Sequence, residues 1–569
     1  MVGMALRLVV LAVFIIDASF NTASAQPRRQ VTEQEFLNLY NQDMPIQNCV
    51  IPAYFIRNVV EEAEQINKTN QTGVPYYTLK IYNSSITGML QLHEGDTPRE
   101  VFMGIDFSNT IFSGEVVLYH SNFREPAYFN RCVFAGPVNA TDTSFTNGVS
   151  FSGSAFKSPV LFTGCKVSGG KAYFLETTFY HWAFFDDATF SDGADFTGAK
   201  FLDEVNLSAN FDDVTIFTDV IFSNVAVFRE HRMNGWIQFQ KTKFLDDVIF
   251  EKINGPGANL NFAEARFQGR IYCTDSELQS LLFSPDEGRP PIVFEKMADF
   301  HGIKCEEGDF RAVDFRDYVN FSQAQFLKKA ELSDTTFESE VNLYGTQFGE
   351  WKDASNNEEF QLQMDGVRFE KTANLQWRQL VQKQPWWFFW REPKLKILTT
   401  VTDTWKSLEE MFSRSGNLKG ENEAMYQRRI LARTLDPANE DSESSGWECF
   451  ENYFSEIFWG YGVRPARLVL WMLFFYLSFT SLYLTQTNEL SKGKNCRDVL
   501  LKRLGFAIKF SGYTSVKPFY GFQQSNGKTY KTITVMHYFA FTIMLVCFLD
   551  SIARVSPLLH EIVGKLLPI

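Results

Sequence analysis

The chain has 569 residues, a net charge of −13 and 57 phenylalanines. Its length allows two to four domains. The acidic balance excludes nucleic-acid binders that rely on a massed lysine and arginine face.

Residues 1–25 read as a secretory signal. Arg7 gives a small positive start, Leu8 to Ile16 a short apolar core, and Ala23-Ser24-Ala25 a cleavage site before Gln26. The alternative is an uncleaved anchor, and Asp17 and the short apolar run count against it. Residues 26–105 form an N-terminal helical cap with the first strands. Helical patterning covers 32–66, with Phe36, Leu37 and Tyr40 first, then Ile56, Val59, Val60 and Ala63 on one face. Alternation from Leu79 to Leu92 reads as strands. The helix ending near Ile66 is the natural cover for their unpaired end.

From Phe107 to Phe250 the phenylalanines fall at fixed intervals. One series runs Phe107, Leu118, Phe129, Ala140, Phe151, Phe162, then Phe174, Phe185, Phe196. A second runs Phe112, Phe123, Phe134, Phe145, Phe156, Val167, then Phe179, Phe190, Phe201. The step within each run is 11 residues, and the series interleave at 5 and 6. Both slip together, by an insertion at Gly169-Gly170 and by a deletion between Phe201 and Phe211, so they belong to one structural repeat. Two residues before each aromatic stands a small residue, such as Ala127, Cys132, Ala172 or Ala194. Such a pair shares one face of a strand. On a helix these steps would scatter the aromatics around the axis and leave no apolar stripe. The phenylalanines are therefore read as core.

The segments "DFSNTIFSG", "ADFTGAKFLDEVNL" and "VNFSQAQFLKKAEL" resemble pentapeptide-repeat proteins of the Phe-rich kind, over roughly residues 80–375. The resemblance implies a mainly β fold: a right-handed parallel quadrilateral β-helix over 106–375, with aromatic and small residues stacked inside. It says little about function, because the fold hosts many roles.

After Phe250, Phe262 and Phe267 keep the rhythm, and an irregular insertion is expected at 271–293. The ladder resumes through Phe310, Phe315, Phe321, Phe326, Phe337 and Phe348 and ends near Leu375. Residues 376–458 read as a helical juxtamembrane linker. It opens with five aromatics, Trp386 to Trp390, followed by Leu395, Leu398, Thr402, Trp405, Leu408 and Phe412 at helical spacing. This segment fits either a helix packed on the last coil or an interfacial segment at lipid headgroups. Residues 459–569 read as a two-span membrane domain, with spans at Leu468–Leu484 and Ile533–Ile552. The loop between them, 486–532, sets nine lysines and arginines against Glu489 and Asp498, which places it in the cytoplasm by the positive-inside rule. An exported N-terminal domain requires the same orientation.

"WGYGVRPARL" (Trp459–Leu468) resembles the segment entering the membrane in bacterial pentapeptide-repeat membrane proteins, where an ion-channel-like two-helix region follows the solenoid. Val499 to Ser515 sits where their pore helix and filter would be, with Leu500, Leu504 and Ile508 on one apolar face. The pore-like segment is Ser511-Gly512-Tyr513-Thr514. It departs from the glycine-rich backbone run a potassium filter needs, and its loop lies on the wrong side for a filter entering from outside.

Other chemistry is sparse. Cys273 and Cys305 are a candidate disulfide beside the insertion. Cys132 and Cys165 read as core thiols on opposite walls, unable to bridge if a coil takes two steps. The histidines show no metal-ligand spacing, and no phosphate loop, nucleophile elbow or triad is present. Asp186-Asp187, Asp212-Asp213 and Asp246-Asp247 read as solvated turns, with calcium binding the alternative. The sequence thus predicts no cofactor, no metal, no enzyme activity and no nucleic-acid partner. It predicts a multi-pass membrane protein whose exported solenoid acts as a scaffold for an unidentified protein partner. The alternative is an ion-channel-like protein or sensor, which would need a homo-oligomer because two spans cannot enclose a pore.

Overall fold

The computed structural model describes residues 28–68, 77–92, 98–285, 288–349, 360–381, 395, 397–398, 402–435, 465–486, 496–516 and 528–555. They fall into two compact units, Met1–Cys305 and Glu306–Ile569. The signal segment 1–25, Trp386–Trp390, Trp459 and residues 487–495 and 517–527 of the basic loop lie outside the described residues.

The first unit is a parallel β-solenoid. Short strands bring Phe112, Phe134, Phe156, Phe179, Phe201, Phe222, Phe244 and Phe267 into register on successive coils. One coil therefore consumes two steps of the sequence repeat. Phe107, Phe112, Phe123, Phe129, Phe134, Phe145, Phe151, Phe156, Phe162, Phe179, Phe190, Phe196 and Phe201 are all buried. Along a stack the rings lie nearly parallel, 4.7 Å apart for Phe134–Phe156 and for Phe179–Phe201. That is the natural spacing of adjacent strands, so the backbone sets the stacking distance. Between stacks the rings meet edge to face, as in Phe162–Phe174 at 5.7 Å and 82°. Inward hydroxyls are satisfied by the previous coil: Thr143 Oγ1 donates to the Leu118 carbonyl at 2.7 Å and Thr242 Oγ1 to that of Phe217 at 2.6 Å.

Turn chemistry carries the same period. Asn109, His120, Arg131, Asp142, Gly153, Gly164, Glu176, Asp187 and Gly198 all have left-handed backbone, φ between 51° and 70°. Each stands two residues after a member of the first series, so every second corner is a left-handed turn. The insertion at Gly169 is absorbed in this way as well. Its φ is 65°, and a Cβ there would lie 2.2 Å from the Thr146 carbonyl oxygen.

Parallel pairing begins earlier than the sequence suggests. Arg29–Gln30 already pairs with Cys49–Pro52, and Ile46–Gln47 with Leu79–Tyr82. Two helices interrupt these first strands, Glu33–Asn41 and Ala53–Lys68. The second buries Phe55, Ile56, Val59, Val60 and Ala63 and packs beside strands Leu90–Gln91 and Arg99–Val101.

The interruption expected at 271–293 is narrower. Ile271–Thr274 and Glu277–Leu282 are strands of the solenoid, and Phe283 stacks on Phe262 at 4.8 Å. Only the stretch after Phe283 and before strand Ile292–Phe294 leaves the ladder. The rung was hidden because Cys273 takes a phenylalanine position, in register with Phe250. The disulfide expected between Cys273 and Cys305 does not form. Both residues are buried, but their strands belong to different faces of the coil. Cys132 and Cys165 are buried thiols. Burial pushes the Cys165 and Cys273 thiols up to about 12, which leaves no reactive thiolate.

In the second unit, Val313–Phe315, Thr336–Phe337 and Arg368–Phe369 continue the parallel pattern, with Phe315, Phe337 and Phe369 stacked at 5.2 and 5.1 Å. Leu398 lies in a strand, Ile397–Leu398, paired with Phe360–Gln363. Helix Thr402–Arg414 buries Trp405, Leu408, Met411 and Phe412. The Thr404 hydroxyl accepts from the Met364 amide at 3.0 Å, and the Arg414 guanidinium donates to the Phe369 carbonyl. This helix therefore packs on the last coils. Leu418–Leu435 packs against it, with Arg428 and Glu409 forming an ion pair between the two helices.

Candidate functional site in the C-terminal helices

Three helices end the described chain: Pro465–Gln486, Cys496–Val516 and Lys528–Val555. The first and third contain apolar windows, Arg467–Leu484 and Lys531–Ser551, long enough to cross a membrane. Their polarity is arranged inside out. Leu470, Leu473, Phe474, Leu477, Phe539 and Ile543 are exposed, while Thr480, Tyr483, Thr534 and His537 are buried. Lipid contact satisfies such a surface, and water does not.

The first and third helices pack together. Phe479, Leu484 and Ile533 pack against the cluster of Tyr483, Ala507 and Phe510, and Phe479 stacks on His537 at 4.3 Å. The helix Cys496–Val516 packs against both. In its second half, Phe510 meets Tyr483 edge-on at 4.9 Å, and the Ile508 carbonyl accepts from the Tyr476 hydroxyl at 2.9 Å. Ala507, Phe510, Ser511 and Thr514 are buried, whereas Leu500, Leu504 and Ile508 are exposed. The apolar face read from the sequence is therefore the outward one.

His537 sits where the three helices meet. Its Nε2 lies 3.1 Å from Ser515 Oγ and its Nδ1 lies 3.1 Å from the Tyr483 hydroxyl. Ser515 already donates its proton to the Ser511 carbonyl at 2.9 Å, so it accepts from Nε2–H, and Nδ1 accepts from Tyr483. In the sequence the only signal for this junction is an ionisable group, His537, on an apolar helix; both hydroxyl partners are distant along the chain.

The pore-like residues Ser511, Gly512, Tyr513 and Thr514 all lie within a continuous helix. Thr514 Oγ1 donates to the Phe510 carbonyl at 2.8 Å. Backbone carbonyls spent within a helix cannot form the stacked rings of a potassium filter. Ser511 Oγ is buried and has no hydrogen-bond partner among the described residues. Among the described residues no group of histidine, cysteine and acidic side chains could hold a metal ion.

Residues 118–166 match the family model described as pentapeptide repeats (9 copies). Together with the parallel solenoid, this match supports a pentapeptide-repeat protein. No curated protein and no solved structure matches the chain.

Proposed function

We propose that this protein is a membrane-anchored, non-enzymatic scaffold that displays a rigid pentapeptide-repeat solenoid on the exported side. The observation that carries the reading is the inside-out polarity of the C-terminal helices, which follow a solenoid whose core is committed to packing. The basic loop 486–532 then faces the cytoplasm. The test uses the full chain in its native membrane. Alkaline carbonate should leave the protein in the membrane pellet. A membrane-impermeant thiol reagent, read at Cys496 on a Cys449→Ser background, should label Cys496 only after permeabilisation; the solenoid thiols are buried. Release by carbonate removes the anchor, and labelling of Cys496 in intact cells reverses the orientation.

A second reading, an ion-channel-like region or sensor, draws on the second half of helix Cys496–Val516, which packs against both apolar helices. On this reading the helix enters the membrane and returns before Lys528. The helical state of Ser511–Thr514 argues against potassium selectivity, and Lys502, Arg503 and Lys509 on the same helix disfavour cations. Purified protein in a planar bilayer under a potassium chloride gradient should show no reversal potential near that for potassium; such a potential would favour the channel.

A further inference from the structure

Between residues 98 and 305 the large apolar side chains exposed among the described residues are Tyr128 (43%), Tyr173 (41%) and Trp236 (44%). All three are aromatic, and all three belong to one face of the solenoid. Tyr128 and Tyr173 share one outward row, which reads Asp106, Tyr128, Ser150, Tyr173, Asp195, Ile216, Gln238 on successive coils. Trp236 stands two residues before Gln238 on the same strand, and so on the same side. Ser150, between the tyrosines, is buried and its hydroxyl donates to Asn130, so the two rings stand as open platforms flanked by the carboxylates Asp106 and Asp195. The Tyr128 ring also walls a cleft of about 320 Å³ with Phe102, Glu125, Pro126, Thr78 and Gly104.

We propose that this face binds a neutral, extended, β-linked glycan chain lying along the solenoid axis. The first argument is spacing. Two rungs separate the tyrosines, about 10 Å at the normal strand separation. That matches the disaccharide repeat of an extended β-linked chain, so alternate sugars present their C–H faces to successive rings. The second is charge. Between Asp106 and Gln238 the row carries two carboxylates, Asp106 and Asp195, and no cation; Lys80, one rung before Asp106, is paired with Asp43, and Lys171, beside Tyr173, donates to the Val214 carbonyl. Sugar hydroxyls donate to the carboxylates, whereas sulfate, uronate or phosphate would be repelled. The third is the pattern itself. Two tyrosines held a rung apart and flanked by Asp106 and Asp195 do not make the contiguous apolar patch of a protein interface. The inference deepens the scaffold reading by naming a partner class, and it rests on that reading only for access to the glycan.

The test incubates the full chain, in a zwitterionic detergent free of sugar headgroups, with insoluble cellulose and with chitin. The chain is expected to be retained on at least one of them and eluted by the matching hexasaccharide. The Tyr128→Ala/Tyr173→Ala pair should cut the bound fraction at least ten-fold. The Tyr128→Phe/Tyr173→Phe pair keeps both platforms and should bind as the parent does, so the test remains readable if the alanine pair folds poorly. Absence of retention on both glycans, equal retention of a folded alanine pair, or tighter retention on sulfated dextran would overturn the proposal. So would conversion of a larger assembly to a smaller one by Tyr173→Ala, which would make the row an interface between copies. Failed retention by a protein that still resists carbonate extraction removes this inference and leaves the scaffold reading in place.

Discussion

Phe196 shows what one repeat residue contributes. It is fully buried, stacked on Phe174 at 4.7 Å and on Phe217 at 4.9 Å. Phe196→Ala leaves a ring-sized void between two rings held apart by the backbone, where collapse is restricted, and should cost roughly 3–5 kcal/mol. Lys200→Ala, on the outward side of its strand, should cost under about 0.5 kcal/mol. Chemical denaturation of the two variants checks the register, and equal losses would refute it. Asp195 is less simple than its outward position suggests, because its carboxylate accepts from the Thr197 amide at 2.9 Å and pins the turn. At the neighbouring corner, burial raises the Asp186 carboxyl above its ordinary value. A raised folded-state value means the native protein holds this proton more tightly than the unfolded chain does. The stability it contributes is present at acid pH and lost as pH rises through the folded value. Asp186→Asn should therefore melt higher than the parent at pH 7, with the gap closing towards acid pH; a gap that widens on acidification would contradict this.

At the scale of elements, the His537 junction joins three helices through two hydroxyls. Tyr483→Phe removes one hydrogen bond and keeps the ring that meets Phe510. Measured coupling of such bonds in membranes is small, so the expected loss is about 1 kcal/mol or less. His537→Leu removes both bonds and the stack on Phe479, and should lower the melting temperature in detergent further. Equal melting of parent and His537→Leu would show that the junction does not hold the helices together. The solenoid's elements depend on a different economy. Each strand is too short to be stable alone, and its neighbours above and below supply both the hydrogen bonds and the ring stacking.

For the whole molecule, two compact units imply that unfolding is not one concerted event. Trp182 and Trp236 lie in the first unit, and the other nine of the 11 tryptophans follow residue 350. Tryptophan fluorescence therefore reports mainly on the second unit, and the β signal in circular dichroism mainly on the first, which holds most of the strands. The two urea transitions should have different midpoints, and coincident curves would argue for a single cooperative unit.

The core of the solenoid could be read from the chain because its period is local. Phe129, Phe134 and Phe151 announce their faces by spacing alone, since strand alternation and left-handed corners recur within each repeat. The two apolar windows were legible for the same reason, as length and composition along a single helix. What the spacing could not express was how far the chain departs from its own pattern. Cys273 fills a phenylalanine rung and made a continuous ladder look broken, and the N-terminal strands pair across helices that interrupt them. The outward row of Tyr128 and Tyr173 and the meeting of Tyr483, Ser515 and His537 were likewise invisible. Each is made by residues brought together across coils or helices, and only the tertiary fold decides which distant residues share a face.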